Sequence, residues 1–252
     1  MTIELKNTSA PIYKFLVPSL GREMRFRPFL MRENKDLMIA HITEDPSTMV
    51  ETLKTVIRSC CQDKIPVDDL ALFDLEYLLC KIRSVSVGNT IQLNLDCDNS
   101  SAHPDKASKN SVVTLNLDDV EVLGLKQFNP EVRLSDRLML RLHPPKITRF
   151  ESSEKRKDVT PEEELRERFD RNMRILASCV EKIYTEDGVI DAGEMSENEI
   201  VAFFDELTMD QYGLLEQWFD RLPRCVIKVE WTCPVCGKRN VRYVRGLMNF
   251  FT

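Results

Sequence analysis

Histidine is scarce in this 252-residue sequence, with three in all, and His41, His103 and His143 stand far apart. So scattered a set does not assemble a histidine-centred catalytic group. No His-Glu-x-x-His, Gly-x-Ser-x-Gly, phosphate-cradling or dinucleotide-binding pattern occurs, and glycine itself is limited to eight residues. The chain is therefore read as a non-enzyme. Positive charge is also short: 35 Lys and Arg face 41 Asp and Glu, for a net charge of -6 and a pI near 5.3. A general nucleic-acid binder needs a basic surface to displace counterions, so no nucleic-acid partner is expected. Apolar runs fall well short of the roughly 20 residues that span a bilayer, which gives no membrane partner. The opening Met-Thr-Ile-Glu-Leu-Lys lacks the basic-then-apolar layout of a signal peptide. The expectation is a protein that stays in a reducing cytoplasm.

What is present is a chain 42% hydrophobic, enough to bury a substantial core in one large domain or two modest ones. Eight cysteines in this length are too sparse for a disulfide scaffold. Cys60, Cys61, Cys80 and Cys179 sit inside helical apolar patterns, where a thiol acts as a small hydrophobe.

Cys233-Pro-Val-Cys236-Gly237 is different, because alternating apolar and polar residues flank it on both sides. Thiolates two residues apart on a tight turn converge on one tetrahedral ion, so the stretch reads as a zinc knuckle at the tip of a β-hairpin. A redox dithiol is the rival reading, but such a motif normally begins a helix, and strand-like residues follow here. One knuckle supplies two ligands, whereas a closed structural site needs four. The comparable place elsewhere is the alternating run from residue 91 that ends at Cys97, with His103 six residues on. Ser100 stands where a second thiol would complete a knuckle, so His103, Asp98 or no protein group supplies the last ligand. The metal set is Cys97, His103, Cys233 and Cys236, with zinc as the cofactor, fastening two remote ribbons into one sheet. An open zinc position would instead activate water for catalysis.

The remaining elements follow in order. Residues 12–17 and 23–26 bracket Pro18-Ser-Leu-Gly21 as a hairpin, and helical spacing begins near Phe29. Pro46 opens a second helix, and residues 70–85 form the most apolar helix, the centre of a helical core. Its charges Asp74, Glu76, Lys81 and Arg83 read as a solvated face. Strands are expected at 91–97, 112–117, 131–134 and 138–142. A charged stretch over 150–164 reads as a mobile connector. Thr160-Pro161 then starts a helix that runs to about Tyr184 and buries Leu165, Phe169, Met173, Leu176 and Val180. Residues 187–194 lack the ligand order of a calcium loop. Ser196 and Glu199 form a capping box for the next helix, and another helix spans about 209–219.

The fold class is α+β: a helical core with β-hairpins, including a zinc-ribbon-like sheet joining the middle and C-terminal parts of the chain. The expected regions are 1–89 (hairpin plus helices), 90–148 (β-rich, with the first ribbon hairpin), 149–164 (connector), 165–222 (helical) and 223–252 (C-terminal zinc-ribbon-like hairpin).

Several stretches together resemble the T4-type phage baseplate protein family, whose members are baseplate hub subunits or hub assembly factors of contractile tails. They are Leu16-Val-Pro-Ser-Leu-Gly21 with Arg27-Pro28-Phe29, Arg32-Glu-Asn-Lys-Asp-Leu-Met-Ile-Ala40, residues 74–89, and Cys233-x-x-Cys236 with Arg245-Gly-Leu-Met-Asn-Phe-Phe251. Their order across nearly the whole chain carries the likeness, and relatives often hold a second thiol in the first knuckle. The resemblance implies a viral protein made in the host cytoplasm and working through contacts with other phage baseplate or tail subunits, either in the virion or as a transient assembly factor. Trp218, Phe219, Phe250 and Phe251 are candidate docking positions if they are exposed, and ordinary core residues if they are not.

Overall fold

The structure is a computed structural model that describes residues 10–246 except 44, 104 and 147–159. The chain forms two compact units, one from residues 1–123 with 224–252 and the other from 124–223.

The first unit opens with strands β1 (Tyr13–Val17) and β2 (Arg22–Phe26), paired antiparallel with Tyr13 opposite Phe26. The turn between them needs a left-handed residue, and Gly21 supplies it at φ +60°. Val17, Met24 and Phe26 point inward, as the alternation requires. Helices α1 (Met31–Thr43), α2 (Pro46–Cys60) and α3 (Leu72–Ser86) follow. Asp45 caps α2 by accepting the Thr48 amide at 2.8 Å, and Pro46 occupies the first turn, where its missing N–H has no consequence.

Central α3 packs against β1, α2, the 3-10 turn Leu117–Asp119 and two further strands described below. That enclosure corrects the expected solvated face: Asp74 and Glu76 are buried, while Lys81 and Arg83 are half-buried. A buried carboxylate needs donors. Asp74 accepts the Ser19 amide at 2.8 Å and the Ala71 amide at 3.1 Å, tying the β1–β2 turn to the start of α3. Burial raises its pKa even so. Glu33 on α1 is buried too, facing Arg27 at 2.7 Å, Arg32 at 3.0 Å and the Leu30 amide at 2.7 Å. Burial alone would push its carboxyl up, but these donors outweigh it and bring the pKa down to about 2.

The unit continues with hairpin β3 (Thr90–Asp96) and β4 (Asn110–Asn116), linked by a segment containing the short helix α4 (Lys106–Lys109), and then β5 (Glu121–Leu123). It closes with hairpin β10 (Arg224–Thr232) and β11 (Arg239–Val244). β5 and β10 are the further strands on α3. β5 pairs with β10, giving the order β11-β10-β5 and joining mid-chain to C-terminal residues. The two cysteine-bearing hairpins lie in separate sheets rather than one. The α+β class is as expected.

The second unit carries a four-stranded antiparallel sheet, ordered β6 (Glu131–Arg133), β7 (Met139–Leu142), β8 (Val180–Thr185) and β9 (Gly188–Asp191). Its helices are α5 (Pro161–Ser178), α6 (Glu197–Asp205) and α7 (Met209–Asp220). Each has a complete capping box: Thr160 with Glu163, Ser196 with Glu199 and Thr208 with Gln211. Helix α5 ends at Ser178 rather than near Tyr184, because the Val-Glu-Lys-Ile-Tyr-Thr run pairs with β7 and β9 and sheet pairing overrides helical spacing. Leu165 and Phe169 on α5 are exposed rather than buried, while Met173, Leu176 and Val180 join the core. Of the expected connector, residues 150–159 lie outside those described. Residues 187–194 form strand β9 and a 3-10 turn.

Candidate metal centre

Four side chains from the two ribbon hairpins and the loop after β3 meet in the first unit. Cys97 follows β3 directly, with its amide bonded to the Lys109 carbonyl at 2.9 Å across the hairpin mouth. Cys233 follows β10, its amide donating to the Lys238 carbonyl at 2.8 Å while the Gly237 amide donates back to the Cys233 carbonyl at 2.9 Å. Gly237 takes φ +68°, a conformation that costs a residue with a Cβ, and this folds Cys236 back beside Cys233. His103 hangs from the β3–β4 loop and is buried.

The Cys97 and Cys236 sulfurs are 3.7 Å apart, and the Cys233 sulfur is 3.7 Å from His103 Nε2. All four ligand atoms lie within 4.8 Å of one another. Zinc–sulfur bonds of about 2.3 Å at tetrahedral angles place neighbouring ligand atoms about 3.7 Å apart, so the spacing fits a shared ion. It is far beyond a disulfide, whose sulfurs bond at about 2.05 Å. Three thiols and one imidazole could therefore hold a metal ion, and the group is mostly buried.

The electrostatics are frustrated in the way a cation would relieve. The Asn99 amide, then His103, Cys236 and Asn240, favour the Cys97 thiolate over the opposing effect of burial, and its pKa falls. The Cys236 and Val235 amides with the neighbouring thiols do the same for Cys233. At Cys236 the Lys238 amide favours the thiolate, but burial and the two adjacent sulfurs outweigh it and raise the pKa. Crowded thiolates repel, and a divalent ion at their centre removes that repulsion.

Polar contacts between the hairpins surround the cluster. Asn240 is buried on β11; its side-chain oxygen accepts the Asp98 amide and its Nδ2 donates to the Lys238 carbonyl, both at 3.0 Å. Asp98, the rival ligand, instead pairs with Arg242 at 2.6 Å. Arg242 also stacks 5.6 Å from the Trp231 ring centre. Sequence reasoning passed over Asn240, although an amide at an inward position of an alternating strand was the available signal.

The other cysteines belong to cores. Burial pushes the Cys60 thiol up to about 11 and Cys80 to about 12, and raises Cys225 further. Cys179 is also buried, while Cys61 is half-buried just past the end of α2 rather than within it. His41 lies on α1, and His143 faces the Pro144 carbonyl at 2.9 Å in the second unit. Trp218 is buried, donating its indole N–H to the Asn129 carbonyl at 2.9 Å, which makes it core rather than docking surface. Phe219 is partly exposed, and Phe250 and Phe251 lie outside the described residues.

No helix among the described residues is long and apolar enough to cross a membrane. No curated protein and no solved structure matches the chain. A family model described as T4 bacteriophage base plate protein matches residues 10–252, almost every residue of the sequence. The chain therefore belongs to the T4 bacteriophage base plate protein family.

Proposed function

We propose that this protein is a structural or assembly component of the hub region of a contractile-tail phage baseplate, acting through protein–protein contacts, with one structural zinc ion held by Cys97, His103, Cys233 and Cys236. The observation that carries the metal part is the spacing of the four ligand atoms, 3.7 Å along two edges of the cluster. Three thiols and an imidazole in a tetrahedral set are soft ligands that suit zinc. Four protein ligands fill the coordination shell and leave no position for an activated water, so the ion acts as a staple and the protein is not an enzyme. The staple holds the β3–β4 loop to the β10–β11 tip and presents a rigid body for neighbouring subunits to grip. Family membership supports partners among other baseplate proteins and a place in the virion tail, with assembly in the host cytoplasm.

Metal analysis of the purified protein tests the staple. One zinc per chain is expected in the wild type and none in a Cys233→Ser, Cys236→Ser variant; wild-type protein purified without chelators and carrying no metal ends the zinc assignment. Counting copies in purified virions separates a permanent hub subunit, present at a fixed stoichiometry, from an assembly factor that leaves.

A further inference from the structure

Away from the metal cluster, a cavity of about 260 Å³ opens between α1 and the C-terminal end of α3. Phe29, Leu37, Met38, Ile42 and Val87 supply its apolar wall, and Asn34, His41 and Arg83 its polar atoms. The rim is exposed although it is apolar: Met38 is 60%, Ile42 76% and Val87 63% accessible. Large apolar side chains grouped in this way on one face mark a contact surface rather than ordinary scatter.

Asn34 donates its Nδ2 to the Met38 sulfur at 3.8 Å, but two other polar groups of the cavity lack partners among the described residues. Arg83 is half-buried; its carbonyl accepts the Val87 amide at 3.0 Å, but among the described residues its guanidinium has neither an ion pair nor a hydrogen bond. Burial lowers its pKa, the mark of a guanidinium stripped of water without a carboxylate in return. The inward carboxylate of α1, Glu33, is already engaged by Arg27 and Arg32. His41 Nδ1 is buried with no hydrogen-bond partner among the described residues. Lys35, one turn before Met38 on α1, adds an exposed cation near the same face. A half-buried guanidinium and an imidazole nitrogen that line one cavity, ringed by exposed methyls, are complementary to a carboxylate joined to a branched apolar group.

We propose that this cavity is a docking pocket for a neighbouring tail subunit, and that the occupant is a segment of that partner carrying an acidic side chain next to a large aliphatic one. The carboxylate pairs with Arg83 at the base, and the aliphatic group lies against Met38, Ile42 and Val87. This rests on the baseplate reading for the source of the partner and on the pocket alone for its chemistry.

The pocket chemistry is tested with 4-methylpentanoate, a branched alkyl carboxylate, against the uncharged 4-methylpentanamide of the same shape. With methyl-labelled methionine and isoleucine, saturable NMR shifts are expected at Met38 and Ile42 with millimolar carboxylate. Exposed Met31 and Met209 serve as controls. Affinity should fall about tenfold for the amide and for Arg83→Gln, and less for Arg83→Lys. Unchanged zinc content and Trp231 emission verify folding, and if Arg83→Gln does not fold, Arg83→Lys carries the comparison. Equal binding of acid and amide, or no shift at Met38 and Ile42 beyond the controls, overturns the proposal. So does a concentration-dependent dimer blocked by the carboxylate, which would make a second copy the occupant.

The partner is tested in phage carrying Arg83→Glu. Tail assembly should fail, and suppressors should replace an acidic residue of another tail protein with Lys or Arg. Suppressors confined to this chain overturn the assigned occupant. Carboxylate binding that persists in a chain absent from assembling tails would instead sink the baseplate role, so the two failures are distinguishable.

Discussion

The two units of this chain solve the same folding problem with different chemistry. Every buried polar or charged residue found among the described residues, Glu33, Lys54, Asp74, Glu76, His103, Ser111 and Asn240, belongs to the first unit. The second unit closes on an apolar cluster including Leu140, Leu142, Ile183, Phe204, Leu215 and Trp218, with its helices started by three capping boxes. A core built from dispersion and area tolerates volume-conserving apolar substitutions, whereas buried carboxylates and thiols require particular partners at particular distances. The buried polar chemistry, the Cys/His cluster included, is therefore concentrated in the first unit, and the second rests on apolar packing.

Two tryptophans make that contrast measurable, because Trp231 reports on the first unit and Trp218 on the second. The largest expected effect is metal removal. Chelation, or Cys236→Ser, should destabilise the Trp231 transition by at least about 5 kcal/mol and leave the Trp218 transition in place, because metal-binding energy is folding energy only for the part that coordinates. A shift of both transitions together would erase the distinction between the units.

Next comes Glu33→Ala, expected to cost the first unit about 4 kcal/mol in denaturant unfolding by leaving the half-buried Arg27 guanidinium without its partner. The same carboxylate predicts acid sensitivity. Its folded pKa, about 2, lies below the ordinary value of 4.5, so its stabilisation is complete above pH 4.5 and is lost as pH falls toward 2. Glu33→Gln should flatten that part of the pH–stability profile of the Trp231 transition.

In the second unit, Leu140→Ala should cost about 3 kcal/mol through cavity formation, read at Trp218. The smallest effect is Ser196→Ala, about 1 kcal/mol from the lost cap of α6. Should Ser196→Ala exceed Leu140→Ala, the account of the second unit as a packing-dominated core would be wrong.

Local signals were legible where the cause was local. The Pro18–Gly21 turn, the Asp45-Pro46 helix start, the Ser196–Glu199 box and the Cys233–Gly237 turn each depend on residues within a few positions, and each stands where the pattern places it. The strand at 180–185 carries helical spacing, Val180 and Ile183 three apart, and pairing with distant β7 through a register shift at Arg141/Leu142 lets both be buried in a strand. Burial of Asp74 was invisible for the same reason: the Ser19 amide that accompanies it is 55 residues away. His103 was a candidate among rivals, and only the fold turned Asp98 to Arg242 and left the histidine facing the thiols.

By itself the sequence determined the alternation of helices and hairpins, their starts and stops, and which cysteines stand on turns, because capping, turn geometry and side-chain period act over one or two turns of chain. Tertiary structure alone decided that Cys97 lies 3.7 Å from Cys236 across 139 residues, that Asn240 bridges two hairpins, and that Arg83 meets no carboxylate among the described residues. Those outcomes depend on which surfaces remain after the core has closed, and no stretch of sequence contains both halves of such a contact.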